Sequence, residues 1–325
     1  MSIESGLFFE KKFALAKRAQ WRYNSLMKKI LAALIVVVCS AAVFAKTFSG
    51  DDVDNCLNGF SKDLNKSLSN AASQQNVYAQ AWIGKVFPSA PPHLAVGIEA
   101  SATKLDLSAL GNFAEIFKVN GIPKTFVYPM LTANARVGGF VLPFDIGFSC
   151  MYMNFSNLKA AAEGFGIKFF NIGGDVRYAL LKGEGAWPQL SLGFGYYFIN
   201  GKVSLDKDGV KAGVDYSSHT MFGQVQLSKT FLFFTPYVGF RGIFSKNSTD
   251  WAWSATDKRI SDAASYVGAA ASGKGNASSN WGDNFIPQIY GGFGLKISFL
   301  AINIAGAYDF KNSIWNGNFS LRFQM

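Results

Sequence analysis

The chain has 325 residues and a formal net charge of +10, with 49% hydrophobic, 15% aromatic and only 16% charged residues. A soluble globular domain carries about a quarter charged residues, so the composition argues for a chain that shows an apolar surface to something other than water. Seven of the 31 Lys/Arg and two of the 21 Asp/Glu lie in residues 1–45; the remainder carries about +5 without a basic run, which leaves nucleic acid without a footprint as a partner.

The run Ile30–Ala45 follows Lys28 and Lys29 and closes on Val43-Phe44-Ala45. A basic start, a short apolar stretch and small residues where a peptidase reads make 1–45 a secretory signal peptide. Met27 directly precedes the lysines, so 1–26 read as a start-site extension. An anchor helix would need a longer run, and a lipoprotein reading through Cys39 would need a small residue in place of Val38. No later segment is long and apolar enough for a spanning helix.

Residues 46–92 predict a helix followed by an irregular stretch. Val53, Cys56, Leu57, Phe60, Leu64 and Leu68 recur at three- and four-residue spacing and form one apolar face. Ser49 suits the cap, and Asp51, Asp52 and Asp54 suit the positive end of the helix dipole. This segment either hangs in the periplasm or plugs a lumen. The apolar stripe favours the plug, with Phe60, Trp82 and Phe87 as expected anchors.

From 93 to 325 the sequence alternates apolar with small or polar residues in units of about ten, the pattern of strands with two unlike faces. The expected strands are 94–103, 130–140, 143–153, 169–181, one from 189, one ending near Lys229, 236–244, 285–297, 301–310 and 314–323. Short turns follow every second strand, and longer segments follow the others. The fold class is all-β: an antiparallel transmembrane β-barrel of about ten strands, within a range of 8–14, preceded by a helical plug-like segment. A soluble sandwich also alternates, but its strands need neither a ten-residue apolar face nor aromatic ends.

The loops carry weaker signals. Asp206-Lys207-Asp208-Gly209 predicts a hairpin turn that extends two strands beyond the membrane. LDLSALGNFAEIF, from Leu105, predicts a short amphipathic helix over the mouth. The Gly/Ser/Ala/Asn-rich stretch 245–284 reads as an exposed, mobile loop.

Alternation aims Glu99, Arg136, Asp145, Asp175, Arg177, Arg241, Lys296, Asp309 and Arg322 into the lumen. They form either a charged constriction that selects permeants or an ion-pair lattice filling a narrow interior. Asp145, Asp175, Arg177 and Arg136 fall on three consecutive strands, toward the periplasmic side. Ser217-Ser218-His219 is the one Ser/His proximity; His219 shares a face with Met221 and Val225, and no acid partner is assigned. The chain reads as a non-enzyme without cofactor. With two histidines and no Cys-His spacing, no metal site is predicted. Cys56 and Cys150 fall on a helix and a strand, so no disulfide is expected.

Signal peptide, plug-like segment, even strand count and amphipathic loop together resemble the FadL-like hydrophobic-compound transporters, and uncharacterised spirochaetal outer-membrane barrels. The segment Phe87-Pro88-Ser89-Ala90-Pro91-Pro92 stands where those transporters carry an Asn-Pro-Ala element. The last strand, with Trp315, Phe319, Leu321 and Phe323, resembles an outer-membrane assembly signal, although it ends Gln324-Met325. The resemblance implies the outer membrane after export, with lipid and the barrel assembly machinery as partners. It also implies passive uptake of small, hydrophobic molecules, with 46–92 as a hatch. The alternative is a narrow or closed barrel, an adhesin or structural protein, whose surface loops bind a partner.

Overall fold

The computed structural model describes residues 50–87, 89–106, 108, 125–155, 165–207, 210–255, 272–282 and 284–325. The expected signal peptide lies outside them, as does the expected loop helix beyond Asp106, Ser108 apart. Among the described residues one helix, α1 (Gly50–Ser73), precedes eleven strands. These are β1 (Leu94–Asp106), β2 (Thr125–Gly138), β3 (Phe144–Phe155), β4 (Phe165–Lys182), β5 (Gln189–Lys207) and β6 (Val210–Ser228). They continue as β7 (Phe234–Ala255), β8 (Ser272–Ser279), β9 (Ile286–Ile297), β10 (Leu300–Asp309) and β11 (Ile314–Gln324).

All strand-to-strand pairings among the described residues are antiparallel. β1 meets β11, and β6 meets β7, which closes the ring. β7 is long enough to have two partners on one edge. Its first half pairs with β9, from Phe234↔Leu295 to Ile243↔Ile286, and its second half pairs with β8, from Asn247↔Ser279 to Ser254↔Ser272. β8 is therefore an upward extension of the β9 position, and the barrel has ten strands. The stretch expected to be a mobile loop from 245 onward is partly wall: residues 245–255 finish β7, and β8 follows.

The register keeps the alternation throughout the membrane zone. Val96, Ile98, Phe148, Ile172, Phe194, Phe240 and Phe319 point outward and are exposed, while Glu99, Arg136, Asp145, Asp175, Arg241 and Arg322 point inward and are buried. Ring pairs mark the two rims. Phe299 stacks on Phe323 at 5.8 Å at the turn end; Phe244–Phe285 at 5.0 Å and Tyr308–Trp315 at 4.5 Å sit at the loop end. An apolar outer belt between aromatic girdles is a lipid-facing surface. The chain is an outer-membrane-type β-barrel.

The wall is uneven. β9, β10 and β11 have 12, 10 and 11 residues, about what a tilted crossing needs. β4 to β7 have 18, 19, 19 and 22 residues, so they overshoot at the loop end. In that overshoot the faces exchange character while the period stays two. Tyr197, Ile199, Tyr216, Trp251 and Trp253 are buried inside, and Asn200, Lys202, Asp215, Lys246 and Asp250 are exposed outside. Lys202 pairs with Asp215 at 2.8 Å on this outer face. Below the boundary the outer neighbour is lipid; above it the outer neighbour is water and the inner one is α1.

Candidate functional site: the plugged lumen

The segment from α1 to Ile83 threads the lumen from the loop end to the turn end. α1 stops because Gln74–Asn76 turn, with Asn76 in the left-handed region at φ 61°, a conformation asparagine tolerates. The apolar stripe (Cys56, Leu57, Leu64, Leu68) packs with Ala71 and Ala72 against Tyr197, Ile199, Tyr216 and Trp251. Phe60 is half-buried against the same cluster. Burial pushes the Cys56 thiol up to about 12.

A polar seam runs beside the stripe. Trp253 Nε1 donates to Asp54 Oδ1 at 3.0 Å, and Trp251 Nε1 to Asn58 Oδ1 at 3.2 Å. Thr249 Oγ1 donates to Asn65 Oδ1 at 2.6 Å, and Asn247 Nδ2 to Ser69 Oγ at 2.9 Å. Helix positions 54, 58, 65 and 69 lie on one face. From 54 to 69 the helix rises about 22 Å and from 253 to 247 the strand runs about 20 Å, so the two ladders match end to end although the middle helix step is longer than the strand step beside it. Because Trp253 and Asp54 are at the loop end of β7, the amino-terminal end of α1 faces that side.

Below α1 the chain enters the charged layer. Arg136 bridges Asp145 and Asp175, each at 2.5 Å, and Arg177 clasps both oxygens of Asp145 at 2.9 Å. The plug completes this lattice. Asn76 Nδ2 donates to Asp175 at 2.6 Å, the Ile83 amide to Asp145 at 3.0 Å, and Arg177 to the Gln80 carbonyl at 2.8 Å. On the adjoining strands β1 and β11 Arg322 pairs with Glu99 at 2.6 Å, and the Val77 amide donates to Glu99 at 3.3 Å. The Tyr78 ring lies between the two groups, with guanidinium carbons of Arg322 at 3.8 Å and Arg136 at 4.7 Å from its centroid. Such contacts strengthen once desolvated. Arg241 donates to the carbonyl of Ser73, the last helical residue, and its charge suits that negative end. Asp309 accepts from Asn70 Nδ2 at 2.7 Å.

Several expected positions shift. Phe87 does not anchor the plug; it is 63% exposed. By that point the chain has left the lumen, since the Val86 amide donates to the Gly139 carbonyl at 3.0 Å in the β2–β3 turn. Trp82 is half-buried, and its carbonyl accepts from Gln189 at 3.2 Å. Lys296 stands outside the charged lattice, half exposed near the end of β9, where its own amide donates to the Phe233 carbonyl of the neighbouring turn at 2.8 Å. The strongest anchor, Tyr78, carried one sequence signal: an aromatic with a polar tip, just before a lumen expected to hold arginines. His219 faces outward, its Nδ1 2.7 Å from Tyr196 Oη, whereas Ser218 is buried on the inner face beside Thr220.

Two of the lumen glycines make room for the plug. A Cβ on Gly147 would overlap the Asn76 side chain, and one on Gly294 would meet Ala79 Cβ at 2.5 Å. A Cβ on Gly195, by contrast, would meet the wall residue Phe222. Between plug and wall, beside Gln75–Tyr78 and Arg241, there is a void of about 10 Å³, room for one water at most.

No protein-family model matches the chain, and no curated protein matches it by sequence. Among solved structures it is similar to the outer membrane protease OmpT from Escherichia coli, with 11% identity over 72% of this chain and 97% of that one, at a TM-score of 0.41. The translocator domain of the autotransporter NalP from Neisseria meningitidis gives 7% identity over 82% and 97%, at 0.36. A FadL homologue from Pseudomonas aeruginosa gives 8% over 71% and 89%, at 0.24. At these scores no activity is carried over from any of them.

Proposed function

We propose that this is a closed outer-membrane barrel that works through its loop end, binding there rather than passing solutes. The observation that supports this reading is the seated plug. Its side chains and amides complete the ion pairs of the lumen, so the cross-section around Arg136, Tyr78 and Glu99 is solid protein. The wall above the membrane supports it too: β5, β6 and β7 enclose α1 in an apolar interior and form a rigid platform on the loop side. Export through a signal peptide belongs to the same proposal. Hatch-gated uptake, the FadL-like reading, would require residues 74–83 to leave contacts with Asp145, Asp175, Arg177 and Glu99.

Conductance in planar bilayers tests the reading. The purified protein should be silent. Gly147→Val should create openings, because its side chain takes the space of Asn76. Gly223→Ala, at a position with open space around the added carbon, should stay silent. A steady pore in the unaltered protein would contradict the proposal and favour uptake.

A further inference from the structure

The connections at the turn end are apolar where turns that face water are polar. The β6–β7 hairpin closes through Leu232 and Phe233, with Phe231 and Phe234 exchanging both backbone hydrogen bonds at 2.7 and 2.9 Å. A two-residue hairpin loop favours Asn-Gly or Asp-Gly, because its backbone enters the left-handed region. Leu232 holds that conformation at φ 54°, with its side chain 95% exposed. The β9–β10 hairpin repeats the pattern: Ser298 sits at φ 56°, and Phe299 beside it is exposed. The β2–β3 turn presents Phe140, Val141 and Leu142, and the β4–β5 turn presents Trp187, all of them exposed. Exposed apolar surface of this extent marks an interaction site.

Three observations say what covers it. First, it is continuous with the lipid-facing belt. Exposed Leu227 and Val238 lead along the outer wall to the β6–β7 turn, and exposed Ile297 leads to Phe299, which stacks on Phe323 at 5.8 Å. Second, the turn carbonyls have partners other than water. Phe233 accepts from the Lys296 amide at 2.8 Å, Phe299 from the Gln324 amide at 2.7 Å, Pro143 from the Ala179 amide at 2.7 Å and Leu142 from the Phe144 amide at 2.9 Å. Backbone that leaves water needs such partners. Most of these bonds also tie a turn to the neighbouring strand, so the apolar side chains are held outward. Third, charge is kept aside. The β2–β3 and β9–β10 turns carry none. Lys229, at the start of the β6–β7 turn, reaches sideways, its Nζ donating to the carbonyls of Gly185 and Trp187 at 2.6 and 2.8 Å.

We propose that the turn end is itself a lipid-binding surface: the β2–β3, β6–β7 and β9–β10 turns lie within the phospholipid leaflet on the turn side and do not stand in water. Val141 and Leu232 enter the upper acyl chains, while the rings of Phe140, Phe233 and Phe299 take the level just below the headgroups, as amphipathic surfaces do at an interface. The turns thereby set how deep the barrel sits. The inference goes beyond the closed-barrel reading and holds whether or not the lumen conducts.

Depth-dependent quenching tests it. In the full protein made without Cys56 and Cys150, Leu232→Cys and, separately, Val141→Cys carry an environment-sensitive fluorophore, and each variant is kept only if its heat-dependent gel mobility is normal. Lys202→Cys, on the outer face above the loop-end girdle, is the reference for water. The probes are phosphatidylcholine vesicles with a nitroxide on the upper acyl chain, and iodide on both sides of the vesicles. The nitroxide should quench the labels at 232 and 141 severalfold more strongly than the label at 202, and iodide should show the reverse order. Iodide quenching at 232 and 141 equal to that at 202, with no effect of the nitroxide lipid, would overturn the proposal. Shielding of both positions from both quenchers would overturn it as well, because a second copy of the chain would then cover the turns in place of lipid.

Discussion

Asn65 of α1 donates to the backbone carbonyl of Ala277, at 2.9 Å, across the top of the barrel. The same side chain accepts from Thr249 on β7 at 2.6 Å. One amide on a helix thus joins two strands of the wall, and the helix serves as wall where strands are missing. This is more than a cork resting in a hole. Above the membrane α1 is the core around which the tall strands fold, and below it the irregular segment supplies partners that the lumen charges would otherwise lack.

The charged layer makes the first prediction. Arg136 is fully buried between Asp145 and Asp175. Arg136→Met leaves the buried Asp175 without its ion-pair partner and Asp145 with Arg177 alone, a change that costs about 3–5 kcal/mol. Urea unfolding in liposomes, followed by gel mobility, should show a clearly lowered midpoint. Arg136→Lys should recover only part of the loss, because one ammonium does not span both carboxylates as a planar guanidinium does.

The alternation makes the second. Phe148 is 60% exposed on the lipid face, and Phe148→Arg should cost roughly 2–4 kcal/mol near mid-membrane. Ser149, one residue on, faces the plug and donates to Gln75 Oε1 at 2.7 Å. Ser149→Arg should therefore loosen the plug and raise conductance, whereas Phe148→Arg should reduce the folded fraction without opening a pore. Identical outcomes for the two would contradict the register.

The direction of threading makes the third. Asn55 is exposed near the amino-terminal end of α1, and Cys56 beside it is buried. A membrane-impermeant maleimide added to intact cells should label Asn55→Cys from outside. Cys56 should stay unlabelled, since burial shields its thiol from the reagent and disfavours the thiolate. Labelling of Asn55→Cys only after the periplasm is opened would reverse the orientation.

Much of this was legible in the sequence, for physical reasons that also set the limits. Period-two alternation gave the faces of Glu99, Arg136, Asp145 and Arg322, because lipid and lumen impose opposite polarity on neighbouring residues. The upper half of β7 was not legible. In Lys246, Ser248 and Asp250 it presents polar residues to water, and in Ser245, Asn247 and Thr249 it presents polar residues to α1, so neither face carries an apolar signal until Trp251 and Trp253. The helix stripe announced burial but not direction, since a pattern of Leu57, Leu64 and Leu68 reads the same from either end. Ring size alone favours Phe87 as an anchor, yet its side chain is exposed. Tyr78 anchors because three arginines, Arg136, Arg177 and Arg322, surround its ring, a convergence visible only once three strands are placed side by side.

The seated plug is tested most directly by a disulfide between Ala79→Cys and Gly294→Cys. The two positions would place their Cβ atoms 2.5 Å apart, so a small displacement brings them to the spacing of about 3.8 Å that a disulfide adopts. Made without Cys56 and Cys150 and isolated from outer membranes, the double variant should crosslink under mild oxidation while keeping the heat-dependent mobility of a folded barrel. A folded barrel in which both thiols remain open to maleimide and no crosslink forms would contradict the account.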